Sequence, residues 1–492
     1  MQNNPDEQNE FDPRRWGLVP EAVADLGKNL YRIHDRYRGW FKTKTRDSSA
    51  HALMYLRGAL TMDTKRNYAN IARRVTGLED DGQNLQQFMS DSPWSVAGVY
   101  QQIQSELAAY PEIHDGMLTL DESADEKAGN QSAGARRQYL GREGKVDVGQ
   151  MSVVLGYHSG ATWAMIDAEL YMPEEWFDEA HRDLRRREHV PLDCKYVTKQ
   201  TLGLQMIRRA VANNMPFRII GCDSNYGRDS QFRADLHAEH LTYIADVPVS
   251  QVVYLAVPIV GVPHTPADHR VSPFTQLRVL NEDANPAMTV QQVAKLSTLA
   301  WDTRPVRETE RGLLSVDCAL RRVWTVTSAG EVLYEWLLIQ RNSQGQIRFS
   351  LSNAPVDSSR TQLARWQHQR YYAERIFQDA KSEAGWAEFM ARKYRAWQHH
   401  TALDALALWF IAQTKLDWAR NHPPDPTLCD QLQLQQLPSL SFANVRELLK
   451  ATLPLPSLSL GKATELVVSH LVNRSSSTRS RLKKQRMNEP KT

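Results

Sequence analysis

Cysteine and long apolar runs are both scarce in this chain of 492 residues. No apolar run reaches the roughly 18 residues that a membrane span needs, and the N-terminal residues lack the basic and apolar regions of a signal peptide. The cysteines lie far apart without paired spacing, which argues against a zinc ribbon or a disulfide framework. We therefore expect a cytoplasmic protein that does not contact a membrane. The four cysteines are Cys194, Cys222, Cys318 and Cys429.

Acidic residues are few between Lys28 and Val75, although the whole chain has a net charge of only +3. This stretch has 12 Lys and Arg residues against three acids, with aromatic residues interleaved. A second basic cluster lies between Arg474 and Arg486. Positive charge beside aromatic rings is typical of nucleic-acid binding, so we predict DNA contacts at Lys65 and Arg66. The alternatives are a solvated helix face and a disordered basic tail.

A helical pattern in several pieces extends from about Ala22 to Leu107. Thr64 is predicted to cap a helix that runs through Arg74, and the turn Asp81-Gly82 separates it from the next helix. Short helices with basic faces suit a DNA-binding domain of helix-turn-helix character, but helical hairpins are common and the spacing alone is weak evidence. We place this domain at residues 1–108.

The pattern changes to strands and helices from residue 109 onward. Three antiparallel strands are indicated first, followed by a helix, a strand, a helix and a strand. This order is that of a ribonuclease-H-like α/β core, whose first part we place at residues 109–247. The predicted elements are strands Gly116–Asp121, Val146–Tyr157 and Ala161–Tyr171, helix Thr201–Asn213, strand Phe217–Cys222, a helix opening at Gly227, and strand Leu241–Val247.

Residues 248–360 interrupt that order with a β-rich block. It includes a predicted three-stranded meander: Arg321–Ser328, Glu331–Gln340 and Gln346–Ser352. Helices resume at Thr361–Ala384 and Arg395–Lys415, in a second part of the core at 361–420. Short helices at Ser441–Leu453 and Ala463–Val472, with a basic tail, form the C-terminal region at 421–492. The chain is thus predicted to be a multidomain α/β protein with an interrupted core.

Three acids stand where a metal site could form. Asp121 and Asp223 end apolar strands, and Glu374 lies on a helix with Arg370 four residues before it and Lys381 seven after it. Spacings of four and seven return to about the same side of a helix. Two divalent ions held by such carboxylates can activate a hydroxyl and neutralise the leaving oxygen of a phosphodiester, and Mg²⁺ prefers hard oxygen ligands.

Local roles remain as alternatives for each acid. Glu122 or Asp125 could replace Asp121 as the ligand. Asp223 could cap the helix after Gly227, or leave its role to Asp229. Glu374 could form a surface pair with Arg370 or Lys381, which would contribute only tenths of a kcal/mol.

The chain resembles the DDE transposases of bacterial insertion sequences, in the subgroup marked by a Tyr-(2)-Arg-(3)-Glu-(6)-Lys signature. Arg370, Glu374 and Lys381 match this signature, and its tyrosine position is occupied by Gln367. The resemblance covers about residues 91–409. Further motifs that carry it are Leu120–Gly129, Ala135–Tyr139 with Gly141, Gly144 and Lys145, Cys222–Gly227, and Trp397–His400.

The resemblance implies a ribonuclease-H-like core with a β-strand insertion before the glutamate. It implies that Asp121, Asp223 and Glu374 are catalytic and bind two Mg²⁺ ions per active site, with Mn²⁺ as a substitute. Arg370 and Lys381 would hold DNA phosphates near the cut end. A tryptophan of the insertion would stack on a flipped base during hairpin formation; the candidates are Trp301, Trp324 and Trp336.

The predicted function is cut-and-paste DNA transposition by a homodimer bound to double-stranded DNA. The substrates would be the inverted repeats at the element's ends and the target DNA, in the bacterial nucleoid. Arg137 and Lys145 are further candidate DNA contacts, with a solvated hairpin as the alternative. Two other functions stay open: a metal-dependent nuclease or resolvase that does not join strands, and a catalytically inactive DNA-binding relative.

Overall fold

The computed structural model describes residues 9–77, 80–141, 144–264, 275–309, 312–388, 391–434 and 437–455, with positions 464 and 468. The predicted helix Ala463–Val472 and the basic cluster Arg474–Arg486 lie outside these ranges, apart from those two positions. None of the helices in the described ranges is long and apolar enough to cross a bilayer.

The protein is a mixed α/β structure built on one ten-stranded sheet. Along the sheet the order is β7-β8-β9-β10-β6-β5-β1-β3-β2, and β4 also pairs with β3. Two additional ladders of two residues each join 252–253 to 288–289 and 260–261 to 278–279. The ten strands are β1 (Gly116–Glu126), β2 (Arg136–Leu140), β3 (Lys145–Ser159), β4 (Thr162–Tyr171), β5 (Phe217–Cys222), β6 (Tyr243–Val247), β7 (Trp301–Thr309), β8 (Gly312–Val326), β9 (Val332–Arg341) and β10 (Ile347–Ser352).

Five neighbouring strands, β4-β3-β1-β5-β6, form the part of the sheet that carries the candidate site. β3 is antiparallel to both β1 and β4, whereas β1, β5 and β6 are parallel to one another. This order is consistent with the predicted ribonuclease-H-like core. The predicted meander also joins this sheet, because β10 pairs with β6 in an antiparallel ladder.

Fifteen helices are defined in the described part of the chain. They are α1 (Pro20–Tyr37), α2 (Ser49–Thr61), α3 (Tyr68–Thr76), α4 (Gln83–Ser90), α5 (Val96–Ala108), α6 (Arg182–Arg187), α7 (Lys199–Ala212), α8 (Ser224–Gly227), α9 (Ser230–Ala238), α10 (Val290–Val293), α11 (Arg360–Gln369), α12 (Tyr371–Asp379), α13 (Tyr394–Asn421), α14 (Thr427–Leu432) and α15 (Phe442–Thr452). Short 3₁₀ helices lie at Pro13–Trp16, Arg38–Phe41, Glu174–Phe177, Glu179–His181 and Trp386–Glu388, and a π-helical turn at Ala380–Ala384.

Helix α13 lies at the centre of the largest apolar core. Its residues 399–412 are all buried, which is the pattern of a helix surrounded by protein. The N-terminal helices, the strands around β1 and the C-terminal α15 contribute side chains to the same core. Two smaller clusters lie along the β7–β10 strands, one of them involving α11.

One predicted helix begins at the wrong residue, and another is divided in the structure. Thr64 does not cap a helix: the Asn67 side chain accepts the cap hydrogen bond of α3, and Lys65 has a φ of 58°, which a helix does not allow. The predicted helix Thr361–Ala384 is divided at Arg370 into α11 and α12 and ends in the π-helical turn. A π-helical turn contains more residues than an α-helical one, so Lys381 departs from the spacing that a continuous α-helix would give.

Candidate active site

Three aspartates lie at one level of the parallel strands. Leu120 of β1 pairs with Cys222 of β5, and Cys222 pairs with Ala245 of β6. The next residues along these strands are Asp121, Asp223 and Asp246. Because the strands are parallel, their carboxyl ends meet at one edge of the sheet, where ligands of open α/β sheets commonly bind.

The carboxyl groups of Asp121 and Asp223 are both withdrawn from water. Burial and the negative charge of Asp223, against the opposing charge of Arg370, together raise the pKa of Asp121 to about 7. Burial also raises the pKa of Asp223, although its side chain caps α8 by accepting from the backbone N–H of Asn225 at 2.9 Å. Asp223 thus caps α8 and not the helix after Gly227, α9, whose cap is Asp229. Asp121 and Asp223 together form a site that favours added positive charge.

Arg370 supplies positive charge to these aspartates. Its Nη1 donates to Asp121 Oδ2 at 3.2 Å, and its Nε donates to Asp246 Oδ2 at 2.9 Å. The guanidinium is largely buried. In the structure this group neutralises carboxylates of the site, and its contact with a DNA phosphate stays a prediction. Asp121 and Asp246 take the place that the alternative pairing gave to Glu374.

Glu374 faces the same cavity as the two buried aspartates. This cavity has a volume of about 700 Å³, and Asp121, Asp223, Glu374 and Lys381 are among its lining residues. Glu374 is exposed in the first turn of α12. Among the described residues, no three carboxylate, imidazole or thiol groups lie close enough together to hold a metal ion. The acids thus share a cavity without converging on one point.

The oxygen donors of this cavity fit divalent ions such as Mg²⁺ chemically. The half-buried carboxylates of Asp121 and Asp223 lie close enough for the negative charge of Asp223 to raise the pKa of Asp121, so an added cation would relieve that repulsion. Glu122, the alternative to Asp121, lines the same cavity but is engaged elsewhere: its Oε2 accepts from Lys199 Nζ at 2.5 Å. Burial raises the pKa of Glu122 and Lys199 lowers it.

The other predicted DNA contacts divide into exposed and buried residues. Lys65 and Arg137 are exposed. Lys145 is also exposed and pairs with Glu126 and Asp147 at 3.0 and 2.9 Å.

Arg66 is buried, and its prediction as a DNA contact is wrong. Its side chain is only 5% exposed. Nη1 donates to Glu388 Oε1 at 2.7 Å, and Nε donates to the carbonyl of Ala59 at 3.1 Å. A DNA phosphate has no access to such a group, so Arg66 is a structural residue of the interior.

The three candidate tryptophans lie at different levels of the sheet. Trp301 pairs with Ala319, close to the level of Asp246, and the Arg341 guanidinium lies 4.2 Å from its ring centroid. Trp324 stacks on Tyr334 and lies near the carboxyl end of β8. The indole N–H of Trp336 donates to the carbonyl of Pro355. The strand register thus places Trp301 at about the level of Asp246, but three strands separate its strand β7 from β6.

A hydrogen-bonded chain behind Arg370 was missed by the sequence analysis. Ser350 Oγ donates to Asp246 Oδ1 at 2.6 Å, and Gln367 Nε2 donates to Ser350 Oγ. Both Ser350 and Gln367 are buried. Asp246 had a detectable signal, because it follows an apolar run, residues 243–245, as Asp121 and Asp223 follow theirs. Ser350 had none, since its partner is distant in sequence.

Comparison with known proteins gives two matches. The family model described as "DDE superfamily endonuclease" matches residues 40–313, which include Asp121 and Asp223 and end before Glu374. The chain is also 29% identical over 220 residues to the "Probable transposase for insertion sequence element IS701" of Microchaete diplosiphon. That alignment covers 43% of this chain and 53% of the relative, so the chain spans about half the length of this curated relative.

Proposed function

The chain belongs to the DDE superfamily of endonucleases, and from this membership we propose that it is a DNA transposase that cuts an element from its flanking DNA and joins it to a target. The observation that supports this most directly is the placement of Asp121 and Asp223. These acids follow paired positions of two parallel strands and share a cavity with Glu374. The likeness to an insertion-sequence transposase favours joining of strands over hydrolysis alone.

In this proposal Asp121, Asp223 and Glu374 are the catalytic carboxylates. They would hold two divalent ions, Mg²⁺ or Mn²⁺, which supply Lewis-acid activation of the attacking hydroxyl and charge neutralisation at the phosphate. Both aspartates have raised pKa values because burial disfavours their charged forms. Bound divalent ions would stabilise those charged forms. Glu374 is exposed on α12 and lines the same cavity as the aspartates.

DNA would reach the cavity along basic residues around it. Lys381 lines the cavity itself and is proposed to contact a phosphate near the cut end. Arg137 and Lys145, on β2 and β3, and Lys65, between α2 and α3, are proposed contacts farther along the DNA. Arg137, Lys145 and Lys65 are each exposed, as a phosphate contact requires.

The domain proposals complete this function. Helices within residues 1–108 are proposed to bind the inverted repeats at the element's ends, supported by the excess of cations between Lys28 and Val75. Residues 248–360 are proposed to be a β-strand insertion into the core, supported by the pairing of β10 with β6. A homodimer would hold the two element ends together during joining.

Cleavage and joining of a DNA fragment that carries the repeats flanking this gene test the proposal. The wild-type chain is compared with Glu374→Gln, with Mg²⁺ and with chelator. We expect metal-dependent 3′-OH ends and joined products, with a loss in the variant that exceeds the roughly 10- to 100-fold cost of removing an outer partner of a metal ligand. Glu179→Gln is a matched control, because Glu179 is a strongly exposed glutamate that pairs with Arg182 on the surface.

Each other result points to a different function. Cleavage without joined products would contradict transposition and identify a nuclease. DNA binding without cleavage in the presence of either divalent ion would identify a relative that has lost catalysis. Equal activity of wild type and Glu374→Gln would remove Glu374 from the catalytic set.

A further inference from the structure

Arg370 has two carboxylate partners with different surroundings. Its Nη1 contacts Asp121 Oδ2, which faces the catalytic cavity, and its Nε contacts Asp246 Oδ2 on the neighbouring strand β6. Within the described part of the chain, the structure shows no hydrogen bond from Nη2. The guanidinium of Arg370 therefore links Asp121, which the proposed function assigns to metal binding, with Asp246, which has no role in that proposal.

Asp246 is held in place from behind. Its other oxygen, Oδ1, accepts a hydrogen bond of 2.6 Å from Ser350, the residue directly opposite it in the β6–β10 ladder. Ser350 in turn accepts from Gln367 on α11. Ser350 and Gln367 are at most 3% exposed. Contacts among three elements, β6, β10 and α11, thus fix the acid that holds Arg370. Gln367 occupies the position of the tyrosine in the signature.

From this geometry we infer that Asp246 is a positioning residue that anchors Arg370 and thereby sets how strongly Arg370 competes with a divalent cation for Asp121. This inference rests on the proposed metal-binding role of Asp121. The guanidinium already holds Asp121 Oδ2, so a cation bound by Asp121 would have to share the negative charge of that carboxylate with it. Asp246 shares the positive charge of Arg370 and weakens its hold on Asp121.

The inference gives opposite effects for two substitutions. Asp246→Asn leaves the full charge of Arg370 to Asp121 and removes a negative charge near the site, so divalent cations bind more weakly. Arg370→Gln removes the competitor, so they bind more tightly. If Asp246 acts through Arg370, the effect of Asp246→Asn is clearly smaller in a chain that already carries Arg370→Gln.

The test is Mn²⁺ binding to the full-length chain without DNA, followed by the electron paramagnetic resonance signal of free Mn²⁺. Wild type, the two single variants and the double variant form a double-mutant cycle. We expect Asp246→Asn to weaken Mn²⁺ binding by about 3- to 30-fold, the range typical of coupled neighbours. Arg370→Gln is expected to strengthen it, and thermal unfolding of each variant verifies that it folds.

Asp302→Asn is the matched control for loss of a negative charge. Asp302 lies between two arginines, Arg304 and Arg360, and belongs to β7 of the same sheet, with three strands separating β7 from β6. We expect its Mn²⁺ affinity to equal that of wild type. An effect as large as that of Asp246→Asn would overturn the inference, because a general charge effect would then explain both.

The remaining outcomes separate this inference from the proposed function. Equal effects of Asp246→Asn with and without Arg370→Gln would overturn the inference while leaving the metal site intact. Unchanged or weaker binding by Arg370→Gln would overturn it even if Asp246→Asn failed to fold. No Mn²⁺ binding by the wild-type chain would instead contradict the metal site of the proposed function, and the inference with it.

Discussion

The carboxyl group of Asp121 is protonated over a wider pH range in the folded chain than in the unfolded one. Burial raises its pKa from 3.8 to about 7. The folded state therefore binds more protons than the unfolded state between these values, and this residue makes the fold less stable as the pH rises from about 4 to about 7. The destabilisation is complete above pH 7 and absent below pH 4.

Replacing Asp121 with Asn tests this pH dependence. An amide keeps the shape of the side chain but has no charge to bury, so the variant should avoid the cost that wild type has at high pH. In buffer with chelator, we expect Asp121→Asn to melt roughly 2–5 °C above wild type at pH 8, and at nearly the same temperature at pH 4. A difference that is larger at pH 4 than at pH 8 would contradict the raised pKa.

The acids at the strand ends were accessible to sequence reasoning because their signal is local. An apolar run followed by an aspartate predicted Asp121 and Asp223 correctly as residues at one sheet edge. The carboxylate partners of Arg370 could not be predicted from the sequence. Helical spacing suggested Glu374, whereas the actual acceptors, Asp121 and Asp246, lie 249 and 124 residues away in sequence. Only the folded sheet brings them together.

At the scale of elements, the meander is joined to the core strands by buried charge as well as by backbone pairing. Arg233 of α9 is fully buried, and its Nε donates to Glu335 Oε1 of β9 at 2.9 Å. The Tyr243 hydroxyl of β6 donates to the same oxygen at 2.6 Å. A buried ion pair of this kind has satisfied hydrogen bonds, so either partner alone would be a costly buried charge.

The loss of stability on substitution of the Arg233–Glu335 ion pair should therefore depend on whether one partner or both are replaced. We expect Arg233→Met to lower the free energy of unfolding by about 3–5 kcal/mol, because Glu335 would be left buried without a cation. The double variant Arg233→Met with Glu335→Leu should recover most of that loss. Urea denaturation measures both, and a double variant as unstable as the single one would show that the pair is not the cause.

The elements themselves were largely predictable, and their arrangement less so. Strand Phe217–Cys222 was predicted with its observed bounds, because a short apolar run between polar turns has few other solutions. The meander strands were also predicted. Their place in the main sheet was not, because it depends on the pairing of Phe349 with Val247, which no local pattern indicates.

At the scale of the whole molecule, the N-terminal helices are packed against the rest of the protein. The hydroxyl of Tyr55 in α2 contacts His400 Nδ1 at 2.6 Å and donates to Asp404 Oδ1 at 3.0 Å, both in the centre of α13. Arg66 binds Glu388, which lies 322 residues away. The sequence pattern indicated helices here but could not show that they share a core with α13, since these contacts are so distant.

Neighbouring residues Lys65 and Arg66 should consequently respond differently to the same substitution. Arg66→Gln is expected to lower the free energy of unfolding by about 2–3 kcal/mol, less than for a fully buried pair because Glu388 keeps some access to water. Lys65→Gln should leave stability nearly unchanged and, if Lys65 contacts one phosphate, reduce the salt slope of DNA binding by about 0.9. Thermal unfolding and DNA titrations at several salt concentrations measure both.

A stable Arg66→Gln chain with weakened DNA binding would reverse this assignment and restore Arg66 as a DNA contact. A Lys65→Gln chain with unchanged salt dependence would remove Lys65 from the proposed DNA path. The matched substitution at adjacent positions removes one positive charge in each case, so the comparison separates an interior role from a surface one.

The position of Ser350 opposite Asp246 limits how this protein can vary in length. Successive side chains of a strand point to opposite faces, so the loss of one residue from β10 before Ser350 would present a different residue to Asp246. The length of the exposed turn at residues 342–346 is not limited in this way, because β9 and β10 keep their pairing when the turn grows. Length differences among relatives should therefore accumulate in this turn, which is also the site of choice for inserting a peptide tag without disturbing the acidic edge of the sheet.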